Sequence, residues 1–252
     1  MRRRIIKILQ KIFPSRQTGG LPPDKLHQFE RAIGYTFSDR TLLHDALKHR
    51  SYVYSRNGTG IDSNERLEFL GDAVLNLVVT YTLYNRFPQK REGELTQIKS
   101  LIVSKTVLAQ KAAEINLGAY LLLSSEEEAS GGRYRTSIVS DAYEALIGAI
   151  YLDGGLQPVE DFLHRFLIRD IDNLLRNADY LNFKSILLEH VQGEGKGQPE
   201  YALHAEEGPD HQKTFIVEVK VHGRILGRGE GRSKKQAQQG AAREALRTLG
   251  AF

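Results

Sequence analysis

Cysteine is absent from this 252-residue chain, which excludes disulfides and any zinc site built on thiolates. A chain without thiols suits a reducing compartment, so the expected localisation is cytoplasmic. Long apolar runs are also missing: nothing approaches the roughly 18 uncharged apolar residues that a membrane-spanning helix needs. The opening stretch MRRRIIKILQKIF has a charged start and an apolar middle. Lys7 and Lys11 interrupt that middle and no small-residue cleavage site follows, so secretion is not expected. The eight histidines show no metal-ligand spacing. The glycine-rich stretches 193–197 and 227–231 lack the GxxxxGK(S/T) and GxGxxG spacings of phosphate loops. Both read as turns.

What is present is ordinary in bulk and uneven along the chain. Apolar residues make up 40% and charged residues 26%, normal for a globular protein of one large domain or two ordinary ones. The net charge of +4 divides as +6 over residues 1–23, −4 over 24–180 and +2 over 181–252. Basic ends beside an acidic middle suggest a polyanionic partner, with the acids kept for something other than solubility.

Residues 1–23 end in the breaker cluster GGLPP, which reads as a flexible join. Ile5, Ile8, Leu9 and Ile12 share one face of a short basic amphipathic helix, either a loosely ordered arm or a binder of anionic membrane surface. From 24 to 176 the periodicity predicts helices, clearest at 42–49, 64–87, 94–114, 140–152 and 159–175, so this part is expected to be an all-α domain. A join at 177–181 leads to a domain at 182–250. There a helix over 182–192 precedes strands at 201–205, 214–222 and 224–229, with His222-Gly223 as a tight hairpin turn and Ser233 capping a last helix. The order α-β-β-β-α makes this an α+β domain.

The informative stretch is NERLEFLGDAVLN, 64–76. At about 100° per residue, Glu65, Glu68, Asp72 and Asn76 fall on one narrow stripe of a helix whose other positions are nearly all apolar. Such a helix reads as buried, and buried acids on one face repel and lose hydration, so something positive must compensate them. In SDAYEALIGAIY, 140–151, Asp141 and Glu144 share a face at i, i+3, and Gly148, one turn on, allows a close backbone approach. Two such helices facing each other form a pocket of hard oxygen donors, a set that selects Mg²⁺ or Mn²⁺ over zinc. The alternative is that the acids only form salt bridges with Arg66, Arg50 or Lys48. All-carboxylate sites with open positions are typical of phosphodiester chemistry.

The stretch NERLEFLGDAVL closely resembles the signature of ribonuclease III. Lys48-His49-Arg50-Ser51-Tyr52 and the segment 140–148 resemble two further motifs of that family, and the likeness covers essentially residues 25–250. It implies a helical endonuclease domain followed by a double-stranded-RNA-binding domain, acting on duplex RNA with Mg²⁺, for which Mn²⁺ can substitute. By the same resemblance Glu68, Asp141 and Glu144 are metal ligands, and Asp72, with Glu144, is catalytic and positions the attacking water. Glu65 and Glu92 are further acids near the centre. The likeness also implies a homodimer in which Phe69 inserts into the partner, although the helical wheel alone leaves Phe69 equally able to pack internally. Products with 5′-phosphate and 3′-hydroxyl ends and short 3′ overhangs, and a role in processing ribosomal-RNA precursors, follow from the family. SKKQAQQGAA, 233–242, resembles the last helix of the RNA-binding domain, and this assigns Lys234 and Lys235 to phosphates, His211 to the minor-groove loop and Glu189 to 2′-hydroxyl contacts. The competing reading, a non-catalytic duplex-RNA-binding or structural protein on the same fold, predicts lost carboxylates, whereas Glu68, Asp72, Asp141 and Glu144 are all present.

Overall fold

The computed structural model describes residues 21–176, 182–209 and 213–251. The expected arm up to residue 20, the join at 177–181 and His211 lie outside the described residues. The chain divides into two compact units, Met1–Asn177 and Ala178–Phe252.

The regular elements among the described residues of the first unit are all helices, with one isolated bridge between Lys48 and Leu122. Helix α1 (Pro23–Ile33) begins with proline at its first position and ends on Gly34 at φ +69°, a left-handed cap that suits glycine. Helix α2 (Arg40–Ala46) is capped by Asp39 and α3 (Arg50–Tyr54) by His49. The single helix predicted over 42–49 is therefore interrupted. The chain leaves α2 at Leu47, where Leu122 donates to the Leu47 carbonyl (2.8 Å) and His49 donates to the Leu122 carbonyl (3.1 Å). These tertiary backbone bonds replace the helical ones that the local pattern favours.

Helix α4 (Glu65–Arg86), α5 (Glu92–Ile102) and α6 (Lys105–Glu114) follow. The predicted helix over 94–114 is two helices, because Ser104 accepts from the Val107 N–H and starts a new one. After α7 (Ser125–Ala129), helix α8 (Thr136–Gly154) runs through the centre, with residues 145–150 all buried. The predicted run 159–175 is also broken, into α9 (Leu156–Phe166), a 3₁₀ turn (Ile168–Asp170) and α10 (Ile171–Arg176). The turn presents Asp170 to the buried ammonium of Lys111, which also bonds Glu114 at 2.8 Å. Burial alone would push the Lys111 pKa down; the hydrogen bonds it donates to Asp170 and Glu114 outweigh burial and hold the pKa up. At the far end of α8, Asp153 accepts from the Tyr35 hydroxyl (2.6 Å) and from the Ser38 and Asp39 N–H groups (2.9 and 2.8 Å), tying α8 to the α1–α2 loop.

Helices α4 and α8 pack on each other more extensively than any other pair of described elements. Glycines set how closely they cross. A Cβ on Gly71 would overlap the Glu144 carbonyl oxygen, and one on Gly148 would overlap that of Leu67. Helix α4 is not buried all round, as its composition suggests. Leu67, Val74, Leu75, Val78, Val79 and Leu83 face the core, while Phe69 (81% exposed), Leu77 (57%), Tyr81 (65%) and Tyr84 (70%) line the opposite side. Both faces are apolar, so hydrophobicity could not tell the core face from the exposed one.

The second unit has the expected order, α11 (Phe183–Gly193), β1 (Glu200–Glu207), β2 (Thr214–Val221), β3 (Arg224–Gly231) and α12 (Lys234–Thr248), with an antiparallel sheet ordered β1-β2-β3. His222 and Gly223 both have positive φ, +48° and +73°, the backbone of a two-residue hairpin. The stretch 227–231 is strand, not turn. Gly227, Gly229 and Gly231 alternate along β3, and a Cβ on any of them would strike α12, whose Ala237, Ala241, Ala242 and Ala245 are fully buried. Glycine on the strand against alanine on the helix brings the two backbones close.

Candidate active site

The acidic pocket is built where α4 and α8 cross. The segment containing His49 is tied to the residue that precedes α4. The Asn64 N–H donates to the Lys48 carbonyl (2.9 Å) and the buried Asn64 side chain donates to the Ala46 carbonyl (3.3 Å), so the first residue before α4 is pinned to the end of α2. His49 Nδ1 lies 2.8 Å from Ser51 Oγ, which in turn accepts from the Ser124 N–H at 3.1 Å. Burial lowers the His49 pKa against the pull of Glu127, Glu65 and Asp141. The Ser51 contacts orient this ring.

Glu68 on α4 and Asp141 and Glu144 on α8 converge, with one carboxylate oxygen of each within 4.8 Å of the others. All three are half-buried. Burial, the largest effect, together with Asp72, Glu68 and Asp141, pushes Glu144 up to about 8. Glu68 is raised by burial and then by Asp141. Crowding and desolvation of this kind disfavour the charged carboxylates, and a cation sharing the space relieves both. Three hard oxygen donors from two rigid helices fit a divalent cation of the magnesium class, and Glu68, Asp141 and Glu144 would hold it.

The other acids stand differently. Asp72 is exposed on α4 and accepts from the Asn76 carboxamide at 2.8 Å, beside Glu144 but outside the converging triplet. Glu65 pairs with Arg50 at 3.6 Å, so the salt-bridge alternative holds for this residue. Glu92 sits exposed in the first turn of α5 and accepts from Thr96 at 2.8 Å; no contact brings it to the triplet. Sequence reasoning missed Lys105, whose Nζ donates to Asp141 Oδ1 at 2.9 Å. It lies 36 positions from Asp141, and no local pattern links the two. It also missed Gly71, the counterpart of Gly148 in the helix crossing.

In the second unit, Ser233 accepts from the Gln236 N–H at 3.2 Å and starts α12 with Lys234 and Lys235 exposed in its first turn. Lys234 pairs with Glu206 at 3.2 Å and lies 5.6 Å from the Phe215 ring centroid. Glu189 is exposed on α11.

Comparison with known proteins identifies both units. Residues 39–171 match the Ribonuclease-III-like family and residues 183–249 the double-stranded RNA binding motif. Ribonuclease 3 of Syntrophobacter fumaroxidans is 43% identical over 235 residues, covering 91% of this chain and 97% of that protein. Ribonuclease 3 of Syntrophomonas wolfei is 48% identical over 213 residues, covering 83% and 89%. The nuclease domain of ribonuclease III from Campylobacter jejuni is 39% identical with a TM-score of 0.53, covering 57% of this chain and 96% of that domain. With a family model matching more than half of the chain and relatives covered nearly end to end at 43% and 48% identity, this chain belongs to the ribonuclease III family.

Proposed function

We propose that this protein is an endonuclease that hydrolyses phosphodiester bonds in double-stranded RNA with a divalent cation, Mg²⁺ or in its place Mn²⁺, leaving 5′-phosphate and 3′-hydroxyl ends with short 3′ overhangs. The observation that carries the reading is the convergence of Glu68, Asp141 and Glu144 within 4.8 Å. A cation bound there would activate water and offset charge on the reacting phosphodiester. Glu68, Asp141 and Glu144 hold the cation, and the α4–α8 crossing keeps their carboxylates in place. Asp72, outside the triplet and fixed by Asn76, is free to orient the attacking water.

Lys234 and Lys235, beside the open N–H groups at the start of α12, suit phosphates, and Glu189 on α11 suits 2′-hydroxyls, so the second unit reads duplex shape rather than sequence. Phe69 and the aromatic stripe on α4 form the surface for a second copy. The solved Campylobacter jejuni nuclease domain is described as having a region involved in dimer formation, which supports this assignment. Paired sites would cut both strands, a chemistry suited to ribosomal-RNA precursors and other structured transcripts. No helix among the described residues is long and apolar enough to cross a membrane, and the reading places the enzyme in the cytoplasm. Incubation of the full chain with a long RNA duplex tests it. Cutting with Mg²⁺ and none with chelator is expected; cutting undiminished by chelator would refute the metal reading.

A further inference from the structure

Lys105 touches the acidic pocket yet has no part in the reading above. It is the first residue of α6, and the Ser104 cap sets where that helix begins. Helix α6 packs against α8, so the Lys105 Cα is anchored beside the pocket while its stem reaches in from solvent. The side chain is 62% exposed and the Asp141 carboxylate it bonds at 2.9 Å is 28% exposed. The Asp141 carboxylate it bonds is one of the three whose oxygens converge within 4.8 Å, so its charge sits at the edge of the triplet. An ammonium on a flexible four-carbon stem is a compact point charge that can pair with a carboxylate and withdraw again without moving the backbone. A divalent cation bound by the same oxygens would be repelled by it at close range.

We propose that Lys105 is a tethered counter-ion of this pocket: it neutralises Asp141 in the absence of a divalent cation, yields Asp141 Oδ1 when one arrives, and so sets how tightly the pocket holds that cation. This rests on the assignment of Glu68, Asp141 and Glu144 as cation ligands. Lys105 is a positioning residue, acting through Asp141.

The test uses the full chain without RNA and follows free Mn²⁺ by electron paramagnetic resonance, with thermal midpoints measured in chelator. Lys105→Met is expected to bind Mn²⁺ about tenfold more tightly, the size of effect that removing one nearby charge has on a divalent ion in partly screened surroundings. Its midpoint in chelator should fall, because the carboxylates lose their internal cation, and Mn²⁺ should raise it by more than in the unaltered protein. Lys105→Arg should restore both properties. A lowered midpoint with unchanged or weaker Mn²⁺ affinity would make Lys105 a plain strut between α6 and α8 and overturn the proposal. If Lys105→Met does not fold, Lys105→Gln serves for the same comparison. Absence of Mn²⁺ binding even in the unaltered chain would instead remove the cation site itself, and the proposal with it.

Discussion

Glu144 concentrates the chemistry of the pocket in one side chain. Crowded by burial and by Asp72, Glu68 and Asp141, it is pushed up to about 8 from an ordinary 4.5. In chelator the native state therefore keeps a proton that the unfolded chain releases near 4.5. Stability contributed by this group is full below pH 4.5 and lost as the pH rises through about 8. Thermal midpoints in chelator should accordingly fall between pH 5 and pH 8.5, and Glu144→Gln, which cannot ionise, should flatten that fall; an unchanged slope would show that the group is not raised. The same variant should keep duplex affinity and lose cutting by at least about a hundredfold, the scale seen when one preorganised transition-state contact is removed. Gel shift and cleavage on the same duplex separate the two effects. Glu144 and Asp141 were legible because i, i+3 spacing on an apolar helix is a local signal. Lys105 was not, since only the packing of α6 on α8 brings it to Asp141.

At the scale of elements, the two crossings that matter are glycine crossings. Gly148→Ala places a methyl where the Leu67 carbonyl sits, and two backbones must separate to admit it. We expect a loss of at least about 1–3 kcal/mol, the range for overpacking a filled interior, read as a lower urea midpoint. Because the same shift moves Glu144 away from Glu68, Mn²⁺ affinity should fall as well. Gly229→Ala should act on the other unit, where its methyl would strike the Ala241 backbone. Duplex binding should weaken while cleavage at low salt persists; equal loss of both would contradict two separately folded units. The glycines of β3 carry two conflicting local readings, a strand over 224–229 and a turn over 227–231, because glycine is a turn signal in isolation. Their alternation, matched to the alanines of α12, has meaning only once strand and helix face each other. Likewise the breaks at Ser104 and Leu167 lie inside continuous apolar periodicity, which cannot tell one helix from two joined end to end.

For the whole molecule, assembly and division of labour are the quantities to measure. Phe69 is 81% exposed at the head of a stripe that continues through Leu77, Tyr81 and Tyr84. Burying one such ring contributes roughly 1.5–3 kcal/mol, and two-fold symmetry makes an isologous contact count it twice. Phe69→Ala should shift sedimentation toward monomer and depress cutting of both strands; a variant fully dimeric at nanomolar concentration would remove Phe69 from the interface. Deleting residues 181–252 should weaken duplex binding sharply at physiological salt yet spare chemistry at low salt, because phosphate contacts dominate affinity and are screened by ions. A folded, cation-binding fragment that cuts at no ionic strength would sink that division.

The sequence by itself determined the helical nuclease unit, the α-β-β-β-α unit and the two acidic segments, because periodicity, capping and i, i+3 or i, i+4 spacing are written within a few residues of each other. Tertiary structure alone decided which apolar face of α4 meets the core, because both faces carry large apolar residues and only the glycine-lined crossing with α8 chooses between them. It also decided that Glu68, Asp141 and Glu144 converge while Asp72 stands outside and Glu92 stays on α5. Those relations join residues far apart in the chain, and the distances between them are fixed by packing, which no local pattern contains.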